Sequence, residues 1–119
     1  MWAHYADGHR GAVIGVEVDR AKYNVHPVQY TGLSYVQQAK FNDPVETAKG
    51  ILCHKHEAWL YEEEERIFIT SGKKFIEVKI KEIILGSRIN SEDNKLIKNL
   101  VSKIAPNVKV INSNVKKFV

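Results

Sequence analysis

Residues 75–86 read Phe75-Ile76-Glu77-Val78-Lys79-Ile80-Lys81-Glu82-Ile83-Ile84-Leu85-Gly86 and set the architecture. Ile76, Val78 and Ile80 alternate with Glu77, Lys79 and Lys81, which is the period of a strand with one covered face. Ile83-Ile84-Leu85 is apolar enough for burial on both faces, and Gly86 closes it. Residues 91–104 then change period. Leu96, Ile97, Leu100, Val101 and Ile104 form one helical stripe. Asn90 or Ser91 can cap this helix, and Asp93 stands three residues past Asn90 as a capping-box partner would. Ala105-Pro106-Asn107 stops it. A strand with one face to cover, followed by a helix with one apolar stripe, predicts a helix laid on one face of a sheet.

Upstream, Ala12 to Asp19 alternates as a strand, with Ala12, Ile14, Val16 and Val18 on one face and Gly15 marking a bulge or a close approach. Val25 to Tyr30 is a second strand, interrupted by Pro27 and so suited to an edge. Thr31-Gly32 and Ser71-Gly72-Lys73-Lys74 read as turns. Asp43-Pro44 opens a shorter helix with the aspartate as cap, carried by Val45, Ala48, Ile51 and Leu52 and weakened by Gly50. Trp59 to Ile69 is ambiguous between helix and strand, and reads as a short helical turn or irregular entry feeding a strand. Val108 to Ile111 is a last strand, which Val115 to Val119 can extend. The expectation is an α+β fold with a small, mainly antiparallel sheet and about two helices. At 119 residues and 44% hydrophobic content the chain is expected to form a single domain over residues 1–119.

Composition narrows the function classes. The longest apolar run is too short to span a membrane, and histidines and charges interrupt anything like a signal peptide. Cys53 is the only cysteine, which leans toward a reducing cytoplasm. Residues 1–60 hold six Lys/Arg against six Asp/Glu, whereas residues 61–119 hold twelve against eight. After Asp93 no acid follows. That basic end suits a solvated lysine face. Only one arginine, Arg88, follows Arg66, and readers of nucleic acid lean on arginine. Nucleic acid is therefore not expected as the main partner, and no membrane is.

Chemistry concentrates in two places. Met1-Trp2-Ala3-His4-Tyr5-Ala6-Asp7-Gly8-His9-Arg10-Gly11 holds two histidines, two aromatics and two glycines. A terminus this dense is either pinned by the fold or belongs to something longer. His4 and His9, with Asp7, His54 and His56, match no metal-ligand spacing, so neither metal nor cofactor is expected. Cys53 and His54 are adjacent, and adjacent side chains do not usually point together. The second concentration is Trp59-Leu60-Tyr61-Glu62-Glu63-Glu64-Glu65-Arg66. Four neighbouring carboxylates need solvent or cations. In an extended chain Glu62 and Glu64 share a side with Arg66, and an inward glutamate beside Arg66 is a structural ion pair or a catalytic acid.

Together these stretches resemble the carboxy-terminal half of an uncharacterised bacterial family of unknown function. Its members carry Met-Trp-Ser-His-Tyr-Ala then His-x-Gly, a Trp-x-Tyr-Glu-x-Glu-x-Arg block, and Ile-x-x-Ile-x-x-Gly before a final helix. Those features fall on Trp2, His4, Tyr5, His9 and Gly11, then on Trp59, Tyr61, Glu62, Glu64 or Glu65, and Arg66, then on Ile80, Ile83 and Gly86. The resemblance is expected over residues 1–111. Ala3 replaces the usual serine. The family's long preceding segment is absent, which implies a cut-down form of the kind carried on a mobile gene cassette. Exposed sheet edges left by such a cut imply a homodimer.

The functional expectation is a small cytoplasmic, non-catalytic module that self-associates or binds another protein. One alternative is an NAD-dependent ADP-ribosyltransferase-like enzyme or its remnant. The order of histidine-aromatic segment, strand and distant glutamate is similar to ADP-ribosyl-transferring folds. In that alternative His4 and Tyr5 hold the nicotinamide nucleotide, Glu62 or Glu65 serves as the acid, and Arg66 orients it or meets phosphate. A nucleic-acid-binding accessory protein is the other alternative.

Overall fold

In the computed structural model, which describes residues 2–31, 43–69 and 72–114, the chain runs α1 (Trp2–Tyr5), β1 (Ala12–Glu17), β2 (Val25–Pro27), β3 (Gln29–Tyr30), α2 (Pro44–Leu52), β4 (His54–Lys55), a 3-10 helix (Glu57–Glu62), β5 (Glu65–Ile67), β6 (Lys79–Leu85), α3 (Ser91–Ile104) and β7 (Lys109–Asn112). The fold is α+β with small, mostly antiparallel sheets. Its residues group into two compact units, one of Met1–Val18 with Glu77–Val119 and one of Asp19–Ile76.

The first unit is built on β6. It lies between β1, antiparallel, and β7, parallel. Ile83-Ile84-Leu85 occupies this central position, and Leu85 is fully buried. Ile76 and Val78 are not in the strand, which begins at Lys79, opposite Glu17. Alternation fixed which residues share a face, but the ladder with β1 stops at Glu17, and the chain then turns at Asp19 instead of running on beside Val78 and Ile76. The register moves from Gly15↔Glu82 to Val16↔Ile80, so Lys81 is an extra residue on β6 and the ladder bulges. A Cβ on Gly15 would come 2.7 Å from Cγ of Glu82. Gly15 thus marks both a bulge and a close approach.

α3 begins and ends where its caps place it. Asn90 Oδ1 accepts from the Asp93 amide at 2.7 Å, and Asn90 Nδ2 donates to Asp93 Oδ2 at 2.6 Å. Glu92 and Asp93 occupy its first turn and Lys103 its last, signs that favour the helix dipole. Asn94 Nδ2 donates to Asn112 Oδ1 of β7 at 3.0 Å. The apolar stripe is split lengthwise. Val101 is buried and Ile97 half-buried, whereas Leu96, Leu100 and Ile104 stay 63%, 52% and 71% exposed.

The second unit turns on Pro27. β2 pairs antiparallel with β5, and β3 pairs parallel with β4. Pro27 has no N–H to donate, and just beyond it the strand changes partner. Val28, buried, donates its amide to the Glu64 carbonyl at 2.9 Å, and Gln29 donates to Cys53 at 2.6 Å. α2 starts as expected. Asp43 Oδ1 accepts from Val45 at 2.6 Å, and Pro44 takes the first helical position. The 3-10 helix is capped by His56 and ends on Glu63 in the left-handed region, φ 46°. The expected turn at Gly32 and the extension over Val115–Val119 lie outside the described residues.

Candidate functional site

Both concentrations of chemistry are ordered, and each sits in its own unit. In the first, the backbone after α1 coils through positive φ at Asp7, Gly8 and His9. The His9 and Gly11 carbonyls accept from the Arg88 and Gly86 amides, each at 2.9 Å. Ala6 is buried beneath this turn, and Trp2 stacks on His9 with ring centroids 5.6 Å apart. The segment is therefore pinned by the fold. Arg10 grips Asp7 through two hydrogen bonds, 3.1 and 2.9 Å. That grip holds the Asp7 carboxyl below its ordinary range and raises Arg10. His4 and Tyr5 lie on the exposed side of α1, their rings edge to face at 6.4 Å.

In the second unit, Lys55 of β4 answers the glutamate run. Its ammonium lies between Glu62 and Glu64, bonded to Glu62 and 3.2 Å from Glu64 Oε2. It also stands 4.9 Å over the Trp59 ring. Arg66 forks onto Glu64, Nε to Oε1 at 2.7 Å and Nη2 to Oε2 at 3.1 Å, and donates to the Leu52 carbonyl. The Glu64 amide donates to the Tyr30 hydroxyl at 2.8 Å. Glu62 closes the 3-10 helix with its side chain only 7% exposed. Its Oε1 is buried without a partner among the described residues.

Charge pairing explains the titration of this cluster. The Arg66 hydrogen bond, with Lys55 adding to it, holds Glu64 below the usual carboxylate range. The Glu62 hydrogen bond raises Lys55, and the Glu64 hydrogen bond raises Arg66. Burial pushes the Cys53 thiol up against the opposing charges of Arg66 and Lys49.

Of the four glutamates, Glu62 and Glu64 face inward. Glu65 points elsewhere and pairs with Arg20 at 2.7 Å, both side chains well exposed. The expected site residues thus divide. His4 and Tyr5 belong to the first unit; Glu62, Glu65 and Arg66 belong to the second. Within the second, Glu62 and Arg66 join one network through Lys55 and Glu64, and Glu65 does not. Sequence reasoning missed Lys55 and Tyr30. The need for cations around four carboxylates was the available signal, but it was assigned to Arg66 alone. Among the described residues no group of three or more His, Cys, Asp or Glu is arranged to hold a metal ion. No described helix is long and apolar enough to cross a membrane.

This is a small α+β protein whose glutamate-rich block is bolted together by its own cations. A family model described as a protein of unknown function, DUF2971, matches residues 1–67. The chain belongs to that family. The match corrects the expected resemblance, which ran over residues 1–111 and assigned the chain to the carboxy-terminal half of a family. It lies instead in the amino-terminal half of this chain. It takes in Trp2 through Gly11 and Trp59 through Arg66, stops with β5, and leaves out Ile80, Ile83 and Gly86. No curated protein and no solved structure gives a significant match.

Proposed function

We propose that the protein is a non-catalytic module that self-associates through α3. The observation carrying this reading is the exposed ridge of Leu96, Leu100 and Ile104, one helical step of four apart. Glu92 and Lys103 lie on the same side of the helix, at its opposite ends, both exposed. They stand about 16 Å apart along the axis by the helical rise. If two copies of α3 run antiparallel about a two-fold axis, Leu96 of one meets Leu100 of the other. The same axis brings Glu92 to Lys103 twice, as an isologous interface requires. The glutamate block supports the non-catalytic half of the reading, since Glu64 and Arg66 are spent on each other and on the backbone.

Light scattering at micromolar concentration is expected to return twice the monomer mass. Leu100→Glu should return a monomer with an unchanged circular dichroism spectrum. Lys103→Glu should weaken the dimer, and adding Glu92→Lys should restore it. A monomer mass across the micromolar range, or no rescue by the charge swap, overturns the reading.

The enzyme reading keeps one favouring observation: His4, Tyr5 and Glu65 are all solvent-accessible, as groups meeting a nicotinamide nucleotide must be. NAD turnover by the wild type and Glu65→Gln separates the two. Equal, background turnover is expected here, and turnover lost in Glu65→Gln would favour the enzyme.

A further inference from the structure

We propose that the outer edge of β1 adds the β1 of a second copy as an antiparallel strand, joining the two three-stranded sheets into one across a two-fold axis. The inference does not rest on the α3 interface and concerns the first unit alone. β1 ends the strand order β1-β6-β7. One side of its backbone bonds to β6. Among the described residues no strand bonds to its other side, which leaves a row of N–H and C=O groups already in strand geometry. Natural edges are blunted by proline, by lysine, by shortness or by a bulge in the edge strand itself. β1 has none of these. It is six residues long, Ala12 to Val16 holds no charge and no proline, and the extra residue of the bulge, Lys81, belongs to β6. Apolar side chains stand along the same edge. Ile14 and Val16 are 55% and 47% exposed, and Ile80, which lies opposite Val16, is 44% exposed.

The strand is self-complementary in one register. A closed two-fold pairing of edges is antiparallel and centres on one residue. Centring on Gly15 would put two glycines on the axis with no side chains to pack, and Glu17 against Val13. Centring on Val13 would set Arg10 against Val16. Centring on Ile14 sets Ile14 against Ile14, Ala12 against Val16 on both sides of the axis, and Val13 against Gly15 on the opposite face. These are the cross-strand pairs that hold a sheet together. Charge agrees with this register. Glu17, the only charged residue of β1, falls opposite Gly11 and next to Arg10 of the second copy, an opposite charge, whereas a parallel in-register copy would set Glu17 beside Glu17. Glu17 and Arg10 already pair with Lys81 and Asp7 of their own copy, so this exposed contact orients the strands more than it tightens them. A six-residue strand pair is short, and association through β1 is expected at about 0.1–1 mM.

The test uses the full chain carrying Leu100→Glu, so that α3 does not contribute. Sedimentation equilibrium of this variant should show a reversible monomer–dimer equilibrium at about 0.1–1 mM. Adding Ile14→Lys, an exposed position, should weaken it at least about tenfold by setting two ammonium groups face to face on the axis. Cysteine cross-linking reads the register, with Cys53→Ala added to remove the native thiol. Facing Cβ atoms of a strand pair stand about 4.5–5.5 Å apart, within reach of a disulfide after slight adjustment. Ile14→Cys should therefore form disulfide dimers under mild oxidation. Ala12→Cys and Val16→Cys should each cross-link at least about tenfold less when alone, and should cross-link to each other when mixed. A Leu100→Glu mass that stays at the monomer's 13.6 kDa up to about 1 mM overturns the proposal. Val16→Cys cross-linking alone as readily as Ile14→Cys also overturns it. Failure of the α3 reading shows instead in the wild type at micromolar concentration and leaves these outcomes unchanged.

Discussion

A methyl group on Gly86 would lie 2.8 Å from the Gly11 carbonyl oxygen and 2.6 Å from the His9 carbonyl carbon. Both are backbone atoms, held in place by their own hydrogen bonds to Gly86 and Arg88. Gly86→Ala is therefore expected to destabilise by about 1–3 kcal/mol, read from the denaturant midpoint. Gly15→Ala should cost less, because its neighbour is the flexible Glu82 side chain. In the second unit, Arg66→Met strips Glu64 of its fork and should cost about 2 kcal/mol by the same measurement. The pH response follows from Glu64. Its carboxyl titrates lower in the folded protein than in the unfolded chain, so the unfolded chain takes up the proton first as pH falls. The stabilisation is fully present above the unfolded value of about 4.3 and is lost as pH falls from there through the folded value. Glu64→Gln should flatten the stability profile in that acid window and leave its shape near neutrality unchanged. Lys55 shifts the other way, so its contribution persists through neutrality and fades only in strong alkali.

α3 shows what a sequence states locally. Its bounds, Ser91 and Ile104, were legible because a cap, a period and a proline stop are all encoded within a few residues. Asn90→Ala should lower stability by about 1 kcal/mol, measured by thermal unfolding, through loss of the Asp93 amide bond. What was not legible is which part of the stripe the sheet covers. Five apolar positions spread over a broad arc of helix, and only the Ile97–Val101 side is turned inward. Ile76 and Val78 failed as strand residues for a similar reason: pairing depends on where β1 ends. Gly15 and Pro27 were read correctly because their missing Cβ and missing N–H act at their own positions. The Lys55 network lay beyond reach of local pattern, since it joins β4 to the end of the 3-10 helix by tertiary contact.

The topology of the first unit has a nested form. β1 and β6 are neighbours in the sheet, Glu17 opposite Lys79, yet the whole of residues 19–76 is strung between them. The β6–α3–β7 stretch, by contrast, closes within residues 79–112. Local contacts form before distant ones because loop closure costs entropy. Core truncations at Ile84 and Val101 are thus expected to slow folding, whereas Val13→Ala should chiefly accelerate unfolding, as stopped-flow kinetics would read. Replacing residues 18–78 by an Asn-Gly hairpin turn should speed closure of β1 onto β6. On the ribosome the same nesting imposes a wait. β1 emerges early and has no strand to pair with until β6 follows, on the order of several seconds at about 5–20 residues per second. Through that interval the backbone N–H and C=O groups of Ala12–Glu17 that later bond to β6 travel unpaired, which makes the nascent chain the form most in need of a chaperone.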